Sequence, residues 1–121
     1  MRARNLRESF QFALAGVWHA LLTQRNMRIH ALAAAVAAVT GLALGFTRIE
    51  MGLLVLTITL VLAAELINTS IEAVVDLLSQ QHNEFAKIAK NVAAGVVFVC
   101  ALGSILIGLI LFLPHIFESL F

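Results

Sequence analysis

Long apolar stretches separated by short polar segments dominate the chain and predict helices that cross a membrane. Three such stretches lie over residues 29–47, 51–78 and 86–113, and each approaches or exceeds the ~20 apolar residues that a span requires. The last span is expected to end at Pro114, because proline removes a backbone donor and disfavours a continuing helix. The pattern therefore predicts three transmembrane helices.

Residues 4–24 predict a further helix ahead of the first span. Its apolar side chains recur every three to four positions, as on one face of a helix. They are Leu6, Phe10, Leu14, Val17 and Leu21. Such a helix is suited to lying in the membrane interface, although packing against its own helix bundle would explain the pattern equally well. The fold class we predict is an all-α integral membrane protein with an N-terminal amphipathic surface helix.

Composition supports a membrane protein over a soluble one. The chain of 121 residues is 61% hydrophobic and 12% charged, whereas soluble domains are roughly 45–50% apolar and about 25% charged. Cys100 is the single cysteine, which excludes a disulfide framework and a cysteine-based zinc site. Gly41 and Gly45 form a G-x-x-x-G pattern in the first span that favours close helix approach in lipid.

The basic residues are distributed unequally between the two ends of the predicted spans. With the N-terminus in the cytoplasm, the inner side carries seven of them and the outer side carries Arg48 alone. The seven are Arg2, Arg4, Arg7, Arg25, Arg28, Lys87 and Lys90. Because Lys and Arg concentrate on the cytoplasmic side, this bias predicts a cytoplasmic N-terminus. The basic residues are too few for a nucleic-acid-binding surface.

The second span carries a stripe of polar side chains, Glu65, Asn68, Glu72 and Asp76. On a helix these point to about 0°, 300°, 340° and 20°, so they share one narrow face. Polar groups on a membrane helix cannot face the acyl chains and must face a bundle interior or a wet crevice. The predicted helix is about 42 Å long, longer than the ~30 Å hydrocarbon layer, so its acidic end should approach the cytoplasm.

Carboxylates on one line repel one another and need compensating cations. A divalent metal such as Mg²⁺ could supply the charge, and so could the basic side chains of Arg28, Lys87 or Lys90 in a purely structural arrangement. Polarity confined to one membrane face favours chemistry between a water-soluble reactant and a lipid headgroup over a channel or proton relay. Carboxylates beside lysine suit phosphoryl transfer, yet neither a P-loop nor a G-x-G-x-x-G motif is present.

Three segments resemble a known family. "AELINTSIEAVVD" at 64–76 and "HNEFAKIAKNVAAGVV" at 82–97 resemble the small bacterial diacylglycerol kinases, and "GVWHALLTQRNMRIH" at 16–30 resembles the undecaprenol-kinase branch. The resemblance implies a homotrimer in the bacterial inner membrane with active sites between subunits. It also implies Mg²⁺- and ATP-dependent phosphorylation of a lipid hydroxyl at the cytoplasmic face, with undecaprenol or otherwise diacylglycerol as acceptor.

The resemblance also implies residue roles. Glu65 matches the base for the lipid hydroxyl, Glu72 matches a metal ligand, and Asn68 and Lys90 match residues close to the ATP phosphates. Further matched positions in or beside the nucleotide and metal sites are Gln24, Arg28, Asp76, His82, Asn83 and Asn91.

Some positions depart from the family pattern. Gln24 stands where a metal-binding Glu is usual, Asn91 where an Asp is usual, and His82-Asn83 where Tyr-His is usual. Gln24 keeps a carbonyl oxygen but loses the charge. A non-catalytic or weakly active lipid-binding member of the same fold is therefore the alternative hypothesis. His30 is expected to be an interfacial residue, with a headgroup or nucleotide contact as the other possibility.

Overall fold

The structure is a computed structural model that describes residues 2–121. It contains four helices in chain order: α1 (Leu6–Thr23), α2 (Arg25–Ala43), α3 (Arg48–Leu78) and α4 (Glu84–Leu120). The predicted all-α fold is confirmed, and α2, α3 and α4 are each long and apolar enough to cross a membrane. At ~1.5 Å per residue, α3 is about 46 Å long and exceeds the ~30 Å hydrocarbon layer.

Helix α1 begins with a side-chain cap. The Asn5 side chain accepts a hydrogen bond from the backbone N–H of Glu8 at 2.9 Å, which satisfies one of the free donors of the first turn. The backbone N–H and the guanidinium of Arg4 both donate to the Glu8 carboxylate, and together they lower the pKa of that carboxyl group. The start of α1 is therefore fixed by local contacts.

A single extended residue separates α1 from α2. Gln24 adopts φ −107° and ψ 113°, and it is both the C-cap of α1 and the N-cap of α2. The Arg28 guanidinium reaches back and donates to the carbonyl oxygens of Leu21 and Leu22 at 3.1 and 2.9 Å. A cation at the C-terminal carbonyls is favourable toward the helix dipole, so Arg28 ties α1 to α2.

The turn between α2 and α3 is built around Gly45 and Phe46. Gly45 has φ +77°, a conformation that glycine adopts without steric cost. The Phe46 ring lies so close to Gly41 that a Cβ added there would be 2.9 Å from it. Since α2 ends at Ala43, Gly45 lies in the turn, and the predicted G-x-x-x-G helix face does not form.

Helix α4 continues through Pro114 to Leu120, so the helix itself does not stop at the proline where the span was expected to end. Proline frees one carbonyl, a loss that is tolerated near a membrane boundary where other groups or water can satisfy it. Contacts on both sides hold the helix here. The ring centroids of Phe112 and Phe46 are 4.9 Å apart. Nε2 of His115 lies 2.7 Å from Oε2 of Glu50 at the start of α3.

Packing is most extensive between α3 and α4, and α2 also packs against α3. The buried apolar residues are Ala20, Met27, Leu54, Val61, Ala64, Ala93 and Leu111. Most large apolar side chains point outward, as expected where lipid or another helix replaces water. On α1 the exposed stripe contains Leu6, Phe10, Leu14 and Trp18, and it stays a predicted membrane-interface surface.

Candidate active site

The polar stripe of α3 passes from a buried end to an exposed end. Glu65 is 2% exposed and Asn68 is 9% exposed, whereas the Asp76 side chain is 65% exposed. Glu72 lies between them and is half-buried. The helical spacing predicted that these groups share a face, and the structure adds the gradient of burial along it.

His30 of α2 packs directly against the buried end of the stripe. Its Nε2 lies 3.3 Å from Oε1 of Glu65, and its side chain is 22% exposed. The Glu65 Oε1 atom is fully buried and makes no aligned hydrogen bond among the described residues. His30 therefore packs against another helix of the same chain, and its position relative to the membrane interface stays a prediction. The sequence does contain a signal for this helix contact. Ala33, Ala34 and Ala37 follow His30 by three, four and seven residues, so they share its face of α2, and such small residues suit close packing.

Asn68 lies between Glu65 and Glu72 on the stripe and contacts Glu72. Its Nδ2 donates to Oε1 of Glu72 at 3.3 Å, and its Oδ1 is buried without a hydrogen-bond partner among the described residues. A buried carbonyl oxygen without a donor is unfavourable, because it has lost water and gained nothing in exchange. This oxygen is therefore available to a ligand group that carries a proton or a positive charge.

Lys90 forms an ion pair with Asp76 across the α3–α4 interface. Both side chains are substantially exposed, at 41% and 65%, so water screens the pair and it contributes little stability. The purely structural arrangement considered for the stripe thus exists at this outer position, while Glu65 and Glu72 do not contact a lysine or arginine among residues 2–121.

A polar groove of about 240 Å³ lies between the end of α3 and the start of α4. It brings together four of the residues matched to the nucleotide site and adds Lys87. The four are His82, Asn83, Lys90 and Asn91.

Two groove residues also make local contacts in the loop. The Asn83 side chain accepts hydrogen bonds from the backbone N–H groups of Phe85 and Ala86, so its oxygen caps α4. The His82 imidazole lies 3.1 Å from the Glu84 carboxylate. Asn83 therefore shapes the loop, and its carbonyl oxygen is already engaged.

Gln24 and Arg28 lie at the junction of α1 and α2 and have local partners. The Gln24 amide donates to the Thr23 hydroxyl at 3.3 Å, and Arg28 caps α1 as described above. The contacts within residues 2–121 do not join Gln24 to Glu72. Arg28 therefore acts locally on the connection between α1 and α2.

The donor set fits a metal that is held partly by its substrate. Within residues 2–121 there is no group of three or more His, Cys, Asp or Glu side chains that could enclose an ion. Mg²⁺ in phosphoryl-transfer sites is commonly bound by one or two carboxylates together with substrate phosphates and water. Glu72, half-buried and on the side that approaches water, suits such a shared ion.

The fold and this site define a protein with three helices able to cross a membrane, a buried carboxylate on α3, and a basic, polar groove between the end of α3 and the start of α4. The family model described as "Prokaryotic diacylglycerol kinase" matches residues 11–112. The chain belongs to this family and is a lipid kinase.

Curated relatives agree with this assignment. The chain is 43% identical to a diacylglycerol kinase of Synechocystis sp., over 96% of this chain and 67% of the relative. It is 40% identical to an undecaprenol kinase of Bacillus subtilis, over 90% of this chain and 89% of the relative. A diacylglycerol kinase of Haemophilus influenzae is 29% identical over 89% of this chain. The alternative of a non-catalytic lipid-binding member is therefore not favoured.

Proposed function

We propose that this protein transfers the γ-phosphoryl group of MgATP to the hydroxyl of a membrane lipid alcohol at the cytoplasmic face of the bacterial inner membrane. Undecaprenol is the acceptor we favour, and diacylglycerol is the second candidate. The observation that carries the proposal is the gradient of burial from Glu65 to Asp76 on one face of α3. Glu65, at the buried end, is suited to a membrane-bound reactant, and the more exposed end of the same helix face is suited to a water-borne one.

Glu65 acts as the general base in this proposal. It takes the proton of the lipid hydroxyl while the hydroxyl oxygen forms a bond to the γ-phosphorus. The bond from that phosphorus to the bridging oxygen breaks, and ADP leaves with the electron pair. The 2% exposure of Glu65 supports the assignment, since an acceptor embedded in lipid must meet its base away from bulk water.

The nucleotide lies on the water side of Glu65 in this proposal. Lys90 and the groove residues His82, Asn83 and Asn91 surround its phosphates. Lys90 exchanges part of its contact with Asp76 for the phosphate, which is feasible because both side chains are largely exposed. Asn68 lies between the base and Glu72, and its unpartnered Oδ1 faces the reacting groups.

Glu72 and the carbonyl oxygen of Gln24 would hold Mg²⁺ together with the phosphates. When bound, the ion neutralises charge on the transferring group. Because Gln24 is uncharged, the metal should be held more weakly than by two carboxylates. Glu72 is about 10 Å from Glu65 along the helix axis, room for the transferring phosphoryl group between them.

We also propose a homotrimer with active sites shared between subunits and a cytoplasmic N-terminus. Two observations support the trimer. The spans expose apolar faces, and Gln24 and Glu72, which are proposed to share a metal, do not contact each other within one chain. The orientation is supported by the excess of Lys and Arg at the end of the spans where Glu72 lies.

An acceptor panel tests the function. Purified protein in detergent or vesicles is given MgATP with undecaprenol, with diacylglycerol, or with no added lipid. Undecaprenol is placed first because the segment at 16–30 resembles the undecaprenol-kinase branch. Transfer to undecaprenol with a kcat/KM above that for diacylglycerol supports the proposal. Faster transfer to diacylglycerol would reverse the choice of acceptor, and no transfer to either would contradict the function.

A further inference from the structure

The contact between α2 and α3 at the buried end of the stripe joins two residues 35 positions apart in the chain. Nε2 of His30 is 3.3 Å from Oε1 of Glu65, and the two side chains are 22% and 2% exposed. Neither the helix caps nor the turn between α2 and α3 requires this contact. A histidine is therefore placed against the most buried carboxylate of the molecule without a role in the local backbone structure.

A carboxylate at this depth needs a hydrogen-bond donor or cation to stay ionised, since the surroundings replace water. The other charged and polar groups near the stripe are already engaged elsewhere. Lys90 pairs with Asp76, and the Asn68 amide donates to Glu72. Arg28 donates to the carbonyl groups at the end of α1. Among residues 2–121, the imidazole of His30 is the basic side chain that lies within 4 Å of the Glu65 carboxylate.

From this geometry we infer that His30 is a positioning residue for the general base. An Nε2–H of His30 holds Oε1 of Glu65 and leaves Oε2 to accept the proton of the lipid hydroxyl. Nε2 lies 3.3 Å from Oε1 of Glu65, within hydrogen-bond distance, and Oε1 has no other partner among the described residues. This role needs the tautomer that carries its proton on Nε2. His30 neither gains nor loses a proton in the step, and the inference rests on the proposed function.

His30 also borders the apolar groove between α2, α3 and α4, of about 140 Å³. Its neighbours in the groove on α2 are Ala33, Ala34 and Ala37. Small side chains next to the ring leave space beside it, so packing alone does not demand an imidazole at this position. An apolar residue of similar size would also fill this space, so what histidine adds is the Nε2 atom that contacts Glu65.

Three substitutions separate positioning from packing. His30→Gln keeps an N–H donor at about the distance of Nε2 from Cα. His30→Asn keeps the amide but is one bond shorter, and His30→Leu removes the donor while filling the space. We expect kcat for His30→Asn and His30→Leu to fall about 10- to 100-fold, less than the ~10²–10⁴-fold expected for loss of the base itself. His30→Gln should retain kcat within about threefold, because its amide reaches Glu65.

The KM for ATP should change little in all three variants, because His30 does not border the nucleotide groove. A double-substitution cycle completes the test. In a Glu65→Gln protein, His30→Asn should cause almost no additional loss of rate, since residues that act as a unit are not additive. Size-exclusion elution in detergent and MgATP binding verify that each variant is folded.

The outcomes distinguish the two levels of the proposal. The positioning role is supported if His30→Gln retains activity, His30→Asn and His30→Leu lose it, and the double-substitution cycle is non-additive. Wild-type activity in all three variants, equal loss in all three, or an additive cycle would overturn it. The unsubstituted protein is measured first in the same assay. If it transfers no phosphate to any lipid alcohol, the proposed function itself fails.

Discussion

Asn68 and Glu72 are one helical turn apart, and Nδ2 of Asn68 donates to Oε1 of Glu72 at 3.3 Å. This bond orients the carboxylate proposed to hold the metal, and the buried carboxylate of Glu65 lies about two helical turns from Glu72 on the same face of α3. The two acids thus belong to one connected polar face but lie in different surroundings, 2% exposed for Glu65 and half-buried for Glu72. Different surroundings allow different roles for the same functional group.

Glu65→Gln should lower kcat by about 10²–10⁴-fold and leave MgATP affinity nearly unchanged. The amide keeps the shape of the side chain but cannot accept the hydroxyl proton. Steady-state phosphate transfer and equilibrium binding of MgATP provide the two measurements. Glu72→Gln is the matched control. It is the same change seven residues further along α3, at the proposed metal ligand, and it should weaken MgATP binding as well as lower the rate. Near wild-type turnover by folded Glu65→Gln protein would show that Glu65 is not the base.

Gln24→Glu should lower the Mg²⁺ concentration required for half-maximal activity. A second carboxylate attracts a hard divalent cation more strongly than an amide oxygen. The measurement is a Mg²⁺ titration of activity at saturating ATP. Gln11→Glu, which adds the same charge in α1 away from the site, is the control for a general charge effect. An unchanged Mg²⁺ requirement would place Gln24 outside the metal shell.

Single cysteines at positions 48 and 84 should be labelled from opposite sides of the membrane. These positions begin α3 and α4, and the distribution of Lys and Arg predicts position 48 outside and position 84 in the cytoplasm. The native Cys100 is first replaced by alanine, and an impermeant thiol reagent is applied to intact cells and to inverted vesicles. Labelling in the reverse order would also contradict the proposed site, because its ATP is cytoplasmic.

Gly41→Ala should destabilise the folded protein by about 1–3 kcal/mol, because an added methyl group would overpack the contact with Phe46. The Phe46 ring cannot retreat freely, since Phe112 and His115 lie against it with ring centroids at 4.9 Å. The midpoint of thermal unfolding in detergent is the measurement. Gly52→Ala, where no atom lies within 4 Å of the added group, should leave the midpoint unchanged or slightly raised. Equal midpoints for both variants would mean that the turn is not tightly packed.

The sequence by itself was sufficient to predict the helical class, the three apolar spans and the common face of Glu65, Asn68, Glu72 and Asp76. Residues on one helix have their relative directions determined by its period of 3.6, so spacing is enough. The resemblance of the segments at 64–76 and 82–97 likewise indicated the family that the comparison confirmed. These features depend on local spacing or on short continuous segments.

Only the tertiary structure decided which groups meet between helices. His30 against Glu65 and Lys90 against Asp76 depend on the crossing and register of separate helices, which side-chain packing determines. The same holds for α4, which continues through Pro114 where contacts with the start of α3 support it. A sequence pattern records which face of a helix is polar, whereas the partner of that face is set by the packing of helices distant in the chain.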